Sequence, residues 1–295
     1  MVSYVAGIVT YNRFDKLLSA IDSLLSQTVL PTSIIVVDNA STDIKYKTLQ
    51  ELFKFSSVPV LIKKQKNNLG GSGGFAQLFN EVQQFTDDFL LLSDDDVVYN
   101  HDYAEQLLKH ISGEKTIYVG RAVDIRGVTL AQHYPVKFQG ELSHIKTITF
   151  LGVLLPIIAI KEVGLPIADF FIWEDDREYA QRLVKKGKYH FVGINNAIVL
   201  HDSGPNNLGR LKSDWRTYYG IRNFIYRVSI HENNIYGWTC VIWKLAKSVG
   251  ITILMPNRYK GNFRYRFGQI FNGTVDGING NLGINEKYFP GKRKL

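Results

Sequence analysis

The segment FLLLSDDD, residues 89–96, joins a short apolar run to three consecutive carboxylates. The apolar run has the length and composition of a buried strand, so the acidic cluster is predicted to lie at the carboxyl end of that strand. Three adjacent carboxylates repel one another unless a cation neutralises them. Because hard divalent cations prefer oxygen ligands, the segment predicts a magnesium or manganese site. A solvated acidic turn is the alternative interpretation.

Side chains alternate along an extended chain, so Asp94 and Asp96 are predicted to point one way and Asp95 the other. We therefore take Asp94 and Asp96 as the metal ligands. A cation that is held by one or two carboxylates completes its shell with water and substrate phosphate oxygens. This chemistry suits a nucleotide diphosphate as leaving group.

Similar apolar runs, rich in β-branched residues, alternate with helical patterns along the chain. They span Tyr4 to Thr10, Ile34 to Asp38, Val58 to Ile62 and Tyr189 to Leu200. After Asp15, leucine and isoleucine recur at i, i+3 and i+4 spacing, which predicts an amphipathic helix. This alternation of strand and helix patterns predicts an α/β fold with a mainly parallel central sheet. In such a sheet, ligands bind at the carboxyl ends of the strands.

Polar residues follow the first two strands, at the edge of the sheet where ligands are expected. Thr10, Tyr11 and Arg13 come after the first strand and either contact a nucleotide or cap the next helix. Asp38 ends the second strand, before a segment that favours a tight turn. Its carboxylate either accepts from a base or a ribose hydroxyl or caps the turn, and the residue alone favours neither interpretation.

A glycine-rich segment, NNLGGSGGF at residues 67–75, precedes a helical pattern. Its glycines allow close approach of the backbone to an anion, so Asn68, Gly70 and Gly71 are candidate phosphate contacts. The segment lacks the lysine of a Walker A loop and the final glycine of G-x-G-x-x-G. A purely structural loop is the alternative, because glycine also serves tight turns.

A second acidic cluster, residues 174–176, follows the aromatic segment 170–173. The acidic residues and the apolar pairs after them predict a helix that begins near Asp175. Asp176 in its first turn is the candidate general base for a sugar hydroxyl. Trp173 and its aromatic neighbours indicate a sugar-binding wall, and plain helix capping is the alternative.

His201 stands at the predicted end of a later strand, after Val199 and Leu200. A neutral imidazole at that position would supply a nitrogen ligand to the same ion. A lone histidine is more often structural, and its spacing alone does not separate the two interpretations.

With 295 residues and 45% hydrophobic content, the chain suffices for one large core, or for a core and a smaller helical appendage. Its single cysteine, Cys240, excludes an intramolecular disulfide and a cysteine-based zinc cluster. Residues 1–13 have the pattern of a strand and a turn, and they lack the basic segment that precedes the apolar core of a signal peptide. We therefore expect no cleaved signal peptide and a cytoplasmic protein.

The net charge of +8 is unevenly distributed. Residues 1–202 carry 20 basic and 23 acidic groups, whereas residues 203–295 carry 15 and 4. We predict a catalytic domain at residues 1–205 and a basic, aromatic-rich helical region at residues 206–295. Such a region suits an anionic partner, namely membrane headgroups, a polyphosphate-linked substrate or nucleic acid, or it is a solvated helical surface.

The segment from Trp238 to Met255 combines tryptophan, isoleucine and valine with Lys244 and Lys247. The lysines interrupt it too often for a transmembrane span. It is predicted either to lie at a membrane interface or to pack as a helix on the catalytic domain, and the residues favour neither. The first alternative places the protein peripherally on the inner face of the cell membrane.

Five segments together resemble family 2 glycosyltransferases of the GT-A fold, especially bacterial galactofuranosyltransferases and related rhamnosyltransferases. They are IVTYNR at 8–13, VVDNASTD at 36–43, NLGGSGGF at 68–75, DDD at 94–96 and FIWEDDRE at 171–178. The segment YYGIRN at 218–223 is also similar to related enzymes. The resemblance implies a GT-A nucleotide-sugar-binding domain with a C-terminal helical region.

The resemblance also implies roles for individual residues. The donor nucleotide would be bound by Thr10, Tyr11, Arg13, Asp38, Asn68, Gly70, Gly71, Asp94 and Asp95. Manganese or magnesium would be held by Asp94, Asp96 and His201. Asp176 would be the catalytic base, and the acceptor or the sugar would lie against Trp173, Asp175 and Glu178.

The aspartate triplet and Trp173 favour the galactofuranosyl branch. That branch implies UDP-galactofuranose as donor and a lipid-diphosphate-linked saccharide as acceptor, in bacterial cell-surface polysaccharide synthesis. Glu174 places the tryptophan one position earlier than in the galactofuranosyl pattern, so dTDP-rhamnose is the alternative donor. A sugar nucleotidyltransferase is an alternative class of enzyme, but its glycine-rich loop would follow the first strand, where this chain has Thr-Tyr-Asn-Arg. A non-enzymatic module that binds anionic polymers is the other alternative, but it would not need the acidic clusters.

Overall fold

The computed structural model describes residues 2–130, 140–202, 215–254 and 262–290. The chain divides into two compact units that interleave along the sequence. The first unit comprises Met1–Asn68, Gly74–Pro166 and Tyr179–Gly204, and the second comprises Leu69–Gly73, Ile167–Glu178 and Pro205–Leu295. The predicted boundary near residue 205 falls outside the described residues.

Within the described residues, the first unit is built on a nine-stranded sheet. Its first four strands are β1 (Tyr4–Thr10), β2 (Ile34–Asp38), β3 (Val60–Lys64) and β4 (Phe89–Asp94). They run parallel in the order β3-β2-β1-β4, in a register that pairs Thr10 with Asp38 and Val9 with Asp94. The predicted α/β fold is thus confirmed, and the carboxyl ends of these strands meet at one edge.

The other strands are β5 (Val97–Tyr99), β6 (Thr116–Val123), β7 (Leu142–Ile145), β8 (Val153–Pro156) and β9 (His190–His201). β8 runs antiparallel to both β4 and β6, and β9 runs parallel to β6. β5 and β7 pair antiparallel with β9. In the β5 pairing Val97 lies opposite His201, which brings the end of β9 beside the residues that follow β4.

Helices cover both faces of this sheet. They are α1 (Phe14–Leu25), α2 (Tyr46–Leu52), α3 (Gly70–Val82), α4 (Tyr103–Leu108), α5 (Ile157–Val163) and α6 (Asp175–Lys185). Helix α1 buries Leu17, Ile21 and Leu24, the stripe that its spacing predicts. β1 is buried along its whole length, with alternate side chains in two separate cores, as expected for a central parallel strand.

The described part of the second unit contains three long helices, α7 (Arg216–His231), α8 (Ile235–Leu254) and α9 (Phe263–Asn279). Ile221, Ile225 and Val228 of α7 form its core with one residue each from α8 and α9. Gly277 permits close approach of α9 to α7, because a Cβ there would lie 2.6 Å from the Arg222 carbonyl oxygen. No helix in the described parts of the chain is both long enough and apolar enough to cross a membrane.

Candidate active site

One arginine holds two carboxylates of the first acidic cluster. Arg13 Nη1 lies 3.0 Å from Asp95 Oδ1 and 2.8 Å from Asp96 Oδ2. The backbone bends at these two aspartates, between β4 and β5, so the alternation expected of an extended chain does not continue past Asp94. The guanidinium charge offsets part of the repulsion between the two carboxylates.

Asp95 is engaged by the end of β1. Thr10 Oγ1 donates to Asp95 Oδ2 at 2.7 Å, and the Tyr11 amide lies 3.4 Å from the same oxygen. Burial raises the pKa of Asp95, while Arg13 and Thr10 act in the opposite direction. These contacts fasten the turn after β1 to the end of β4.

Asp96 and His201 form the pair that best suits a divalent cation. His201 Nε2 pairs with Asp96 Oδ1 at 3.2 Å, and apart from this contact the buried oxygen receives no hydrogen bond from the described residues. Burial opposes the ionisation of Asp96, but His201 and Arg13 outweigh it and lower the pKa of this carboxyl. A carboxylate oxygen beside an imidazole nitrogen is a donor set that fits manganese, with substrate oxygens and water as further ligands.

Asp94 does not complete this pair. Across the part of the chain that the structure describes, no group of three or more His, Cys, Asp or Glu side chains is arranged to hold a metal ion. Asp94 is half-buried as the last residue of β4, before the bend that carries Asp96. A coordination shell formed by Asp94, Asp96 and His201 together stays a prediction.

Asp38 caps the turn that follows β2. Its side chain is fully buried, Oδ1 accepts from the Ser41 amide at 3.0 Å, and Oδ2 accepts from the Tyr46 hydroxyl. These contacts agree with the turn-capping interpretation, although a carboxylate has further lone pairs for a ligand. Next to it, Asn39 Nδ2 donates to Asn68 Oδ1 at 3.0 Å, which connects this turn to the segment before α3.

Asn12 joins the turns after β1 and β2, a role that the sequence analysis missed. Its amide donates to Ser41 Oγ at 2.8 Å, and its Oδ1 accepts from the Thr42 amide at 2.7 Å. The residue has a positive φ of 53°, a conformation that asparagine tolerates better than most residues. An asparagine directly after a strand was the available signal.

The glycine-rich segment is the first turn of α3 rather than a loop before it. A Cβ at Gly70 would overlap the Phe171 carbonyl, one at Gly73 would overlap Leu69, and one at Gly74 would lie 2.5 Å from Val9. Among the described residues, no atom lies within 4 Å of the position that a Cβ on Gly71 would take. Packing therefore leaves no room for a side chain at three of these glycines, whereas the position of a Cβ on Gly71 lies in open space.

The aromatic segment before α6 has a strained backbone. Phe171, Trp173 and Glu174 have positive φ values of 64°, 66° and 70°. Asn223 of α7 supports the segment, because its Nδ2 donates to the carbonyls of Phe170, Ile172 and Trp173 at 2.9 Å each. The motif YYGIRN thus supplies the amide that keeps this backbone in place.

The acidic residues on either side of the aspartates have partners within the second unit. Glu174 is buried, with Arg227 Nε 2.9 Å from Oε2 and Lys244 Nζ 3.3 Å from Oε1. Burial opposes ionisation of Glu174, but Lys244 and Arg227 lower its pKa. Glu178 Oε1 lies 2.9 Å from His231 Nε2 and is fully buried, so this predicted acceptor contact has a protein partner.

Asp175 and Asp176 begin helix α6, and for both of them burial outweighs the interactions that lower the pKa, including the attraction of Arg177 for Asp176. Burial raises the pKa of Asp175 to about 6. Burial, and next to it the neighbouring Asp175, raises the pKa of Asp176 to about 7. Asp176 Oδ1 accepts from the Arg177 amide at 2.7 Å. A half-buried carboxylate that exchanges its proton near neutral pH has the property required of a general base.

Trp173 presents an aromatic surface beside these carboxylates in the sequence. Its side chain is 47% exposed, and a Cβ on Gly220 would lie 2.7 Å from its ring. The glycine therefore permits the ring to lie against α7. The remaining exposed ring surface is of the kind that stacks on a sugar.

The predicted residues are distributed over both units. The first unit contains Thr10, Tyr11, Arg13, Asp38, Asn68, Asp94, Asp95, Asp96 and His201. The second contains Gly70, Gly71, Trp173, Asp175, Asp176 and Glu178. Within the first unit, the contacts of Arg13 and His201 bring the cluster after β4 together with the ends of β1 and β9.

The fold is similar to that of GalNAc-T7, which was solved with UDP, GalNAc and Mn2+. The TM-score is 0.63 and the sequence identity is 14%, and the match covers 78% of this chain and 48% of that chain. It is also similar to TarS residues 1–349 of Staphylococcus aureus in complex with UDP, with a TM-score of 0.59 at 12% identity over 95% of this chain and 92% of that chain. These similarities define a glycosyltransferase fold of the GT-A class.

The sequence gives a closer relationship. The chain is 26% identical over 246 residues to the galactofuranosyltransferase GlfT1 of Mycobacterium tuberculosis, which covers 76% of this chain and 80% of that protein. The family model of Glycosyl transferase family 2 matches residues 6–167, more than half of the chain. The protein belongs to this family and is a glycosyltransferase.

Alanine substitutions should separate the ligand-facing glycine from those needed for packing. Gly71→Ala should leave the free energy of unfolding unchanged or raise it by up to about 1 kcal/mol, because alanine favours the helix and meets no atom. Gly73→Ala should lower it by about 1 to 3 kcal/mol, because the new methyl group overlaps Leu69. Urea denaturation measures both effects.

Calorimetry should show weaker UDP binding for Gly71→Ala, and unchanged binding would remove Gly71 from the donor contacts.

Replacement of Asn223 should release the strained segment before α6. Asn223→Ala removes the Nδ2 donor from the carbonyls of Ile172 and Trp173 and leaves the Phe170 carbonyl to Arg222 and the Ile172 amide. We therefore expect the free energy of unfolding to fall by roughly 2 to 4 kcal/mol and turnover to fall with it. Asn279→Ala, at an exposed asparagine that ends α9, is the matched control and should change neither quantity. Equal stability of the two variants would show that the segment does not depend on Asn223.

Proposed function

We propose that the protein is a metal-dependent inverting glycosyltransferase that transfers galactofuranose from UDP-galactofuranose to a saccharide acceptor. The observation that carries the metal-dependent donor site is the buried Asp96 oxygen, which is paired with His201 Nε2 at 3.2 Å and receives no other hydrogen bond from the described residues. The choice of galactofuranose is supported by the similarity to GlfT1, which extends over 76% of the chain. Transfer of rhamnose from dTDP-rhamnose is the alternative.

The donor side of this proposal depends on residues of the first unit. Asp96 and His201 would hold manganese or magnesium, with Asp94 as a further candidate ligand. When bound, the ion would neutralise charge on the diphosphate of the donor and of the departing nucleotide. Thr10, Tyr11 and Arg13 would position the nucleotide from the end of β1. GalNAc-T7, whose fold is similar, was solved with UDP and Mn2+, which supports this choice of cofactor.

The remaining donor contacts are proposed from other strand ends and from α3. Asp38 would accept from the base or a ribose hydroxyl, and Asn68 would contact the donor nucleotide, beside the hydrogen bonds that they already make in their turns. Asp94 and Asp95 would lie toward the diphosphate. Gly70 and Gly71 would allow the donor to approach the first turn of α3.

The acceptor side depends on Asp176. We propose that its carboxylate takes the proton of an acceptor hydroxyl, whose oxygen forms a bond to the anomeric carbon while the bond from that carbon to the diphosphate breaks. The nucleotide diphosphate leaves with the bonding electrons, and the configuration at the anomeric carbon inverts. Trp173, Asp175 and Glu178 would line the acceptor or the sugar. The raised pKa of Asp176, caused by burial, supports its role as base.

The acceptor is proposed to be a saccharide linked to lipid diphosphate, used in the synthesis of bacterial cell-surface polysaccharide. The excess of basic residues after position 202 supports an anionic acceptor or an anionic surface near it. Peripheral contact of the C-terminal region with the membrane is part of this proposal.

Calorimetric titration of UDP and dTDP, each with and without manganese, tests the donor. We expect manganese-dependent binding with at least tenfold preference for UDP. Asp96→Ala and His201→Ala should each remove most of the manganese dependence, because each deletes one proposed ligand of the ion. His144→Ala, at an exposed histidine of β7, is the control and should bind as the native protein does.

The outcomes of this titration separate the alternatives. Preference for dTDP would favour rhamnosyl transfer. Unchanged manganese dependence in both ligand variants would contradict the metal site, and binding of neither nucleotide would contradict the proposed donor class.

The pH dependence of turnover and stability tests the base. Turnover should rise with pH through about 7 as Asp176 loses its proton, and Asp176→Asn should lower kcat by about 10²- to 10⁴-fold while UDP binding persists. A raised carboxyl pKa stabilises the folded state at low pH, and this contribution is lost as pH rises from about 4 to about 7. Asp176→Asn should therefore become more stable relative to the native protein between pH 5 and pH 8.

The control for this experiment is Asp169→Asn, at an exposed aspartate near the same segment. It should preserve both the turnover and its pH profile. Near-native turnover of Asp176→Asn would rule out Asp176 as the base.

A further inference from the structure

Helix α8 has an exposed face that is almost entirely apolar. Ile235, Tyr236, Trp243 and Leu254 are 86%, 72%, 73% and 81% exposed. With Ile242 and Ile253 they form three adjacent pairs that recur at intervals of seven and eleven residues, close to two and three helical turns, so they share one side of the helix. The opposite side carries Val241, which is buried in the core of the second unit.

Helix α9 repeats this arrangement. Its exposed apolar residues are Phe267, Phe271, Val275 and Ile278, which again follow helical spacing. Its buried side contributes Ile270 to the core with α7. Single exposed apolar residues are common on soluble proteins, but extended apolar faces on two helices mark an interaction surface.

The charges near these faces favour an anionic partner. From residue 233 to residue 275 the chain contains six Lys or Arg and no Asp or Glu. Lys244 is engaged by Glu174, but Lys247 and Arg264 are exposed at the apolar faces of α8 and α9. Two copies of a surface with this charge would repel each other, whereas anionic headgroups would be attracted.

We infer that the exposed faces of α8 and α9 bind the surface of an anionic lipid bilayer. The helices would lie in the interface, with Trp243, Tyr236 and the aliphatic residues among the acyl chains and Lys247 and Arg264 at the headgroups. This geometry requires no spanning helix. The inference deepens the proposed function and rests on it for the reason to bind a membrane, since a lipid-linked saccharide is presented there.

Vesicle binding tests this inference with the full-length protein and with neither donor nor acceptor present. We expect cosedimentation with vesicles of phosphatidylcholine and phosphatidylglycerol, at least tenfold stronger than with phosphatidylcholine alone. Raising the salt concentration from 50 to 500 mM should weaken binding several-fold, because ions screen the attraction to the headgroups. Absence of binding to anionic vesicles at 50 mM salt would overturn the inference.

Two variants locate the surface. Trp243→Ser with Phe271→Ser should weaken vesicle binding at least tenfold, and both side chains are exposed, so the fold should be retained in a circular dichroism melt. Phe55→Ser is the matched control, because Phe55 is 89% exposed but belongs to the first unit. Equal loss in the control would overturn the assignment. Light scattering that shows a dimer of the native protein and a monomer of the double variant would also overturn it. That result would show that a second copy of the chain covers the exposed faces of α8 and α9.

The position of Trp243 gives an independent readout. Brominated lipids should quench the fluorescence of the native protein, and Trp243→Phe should lose most of this quenching while it still binds the vesicles. Quenching that is unchanged in this variant would place another tryptophan in the lipid and overturn the proposed orientation. UDP titration of the same preparations distinguishes failure of the membrane inference from failure of the proposed donor.

Discussion

The contact of Arg13 with Asp95 and Asp96 is the interaction on which the carboxyl end of the sheet depends. Two carboxylates with little solvent exposure would repel each other and lose hydration if this guanidinium were absent. The same group connects the residues after β1 to those after β4, while Thr10 adds a neutral hydrogen bond to Asp95. Arg13 thereby fixes the Asp96 carboxylate beside His201, with one oxygen toward the histidine and the other toward the arginine.

In the second unit, the unfavourable feature that must be stabilised is the backbone conformation of the segment before α6. Three residues with positive φ cost on the order of 1 to 3 kcal/mol each. The Asn223 amide and the Arg222 guanidinium offset this cost, since both donate to carbonyls of the segment before α6. Glu174, at the end of that segment, is neutralised by Arg227 and Lys244 from two other helices. The pKa of Asp176, which follows, is raised because burial and Asp175 outweigh the opposing effect of Arg177.

Local patterns predicted the elements, and tertiary contacts determined most of the site. β1 and β2 have the predicted bounds, because their apolar runs end at polar residues, and α1 buries the stripe that its spacing indicates. The bend at Asp95 was not predicted, because it depends on Arg13 from a distant part of the chain. The close packing at Gly70 depends likewise on Phe171. The partners of Glu174 and the role of Asn223 lie beyond any local pattern, since the contacting residues are on α7 and α8.

The contact between the start of α3 and the segment before α6 also constrains how the protein folds. The Ser72 amide donates to the Phe171 carbonyl at 3.2 Å, in the same place where Gly70 leaves no room for a side chain. Because these residues are far apart in the sequence, closing this contact has a large entropic cost and is expected late in folding. Neither segment keeps its native backbone partners without the other, so the two should open and close as one cooperative unit in native-state hydrogen exchange. The backbone that leads to the candidate base is therefore also expected to form late in folding.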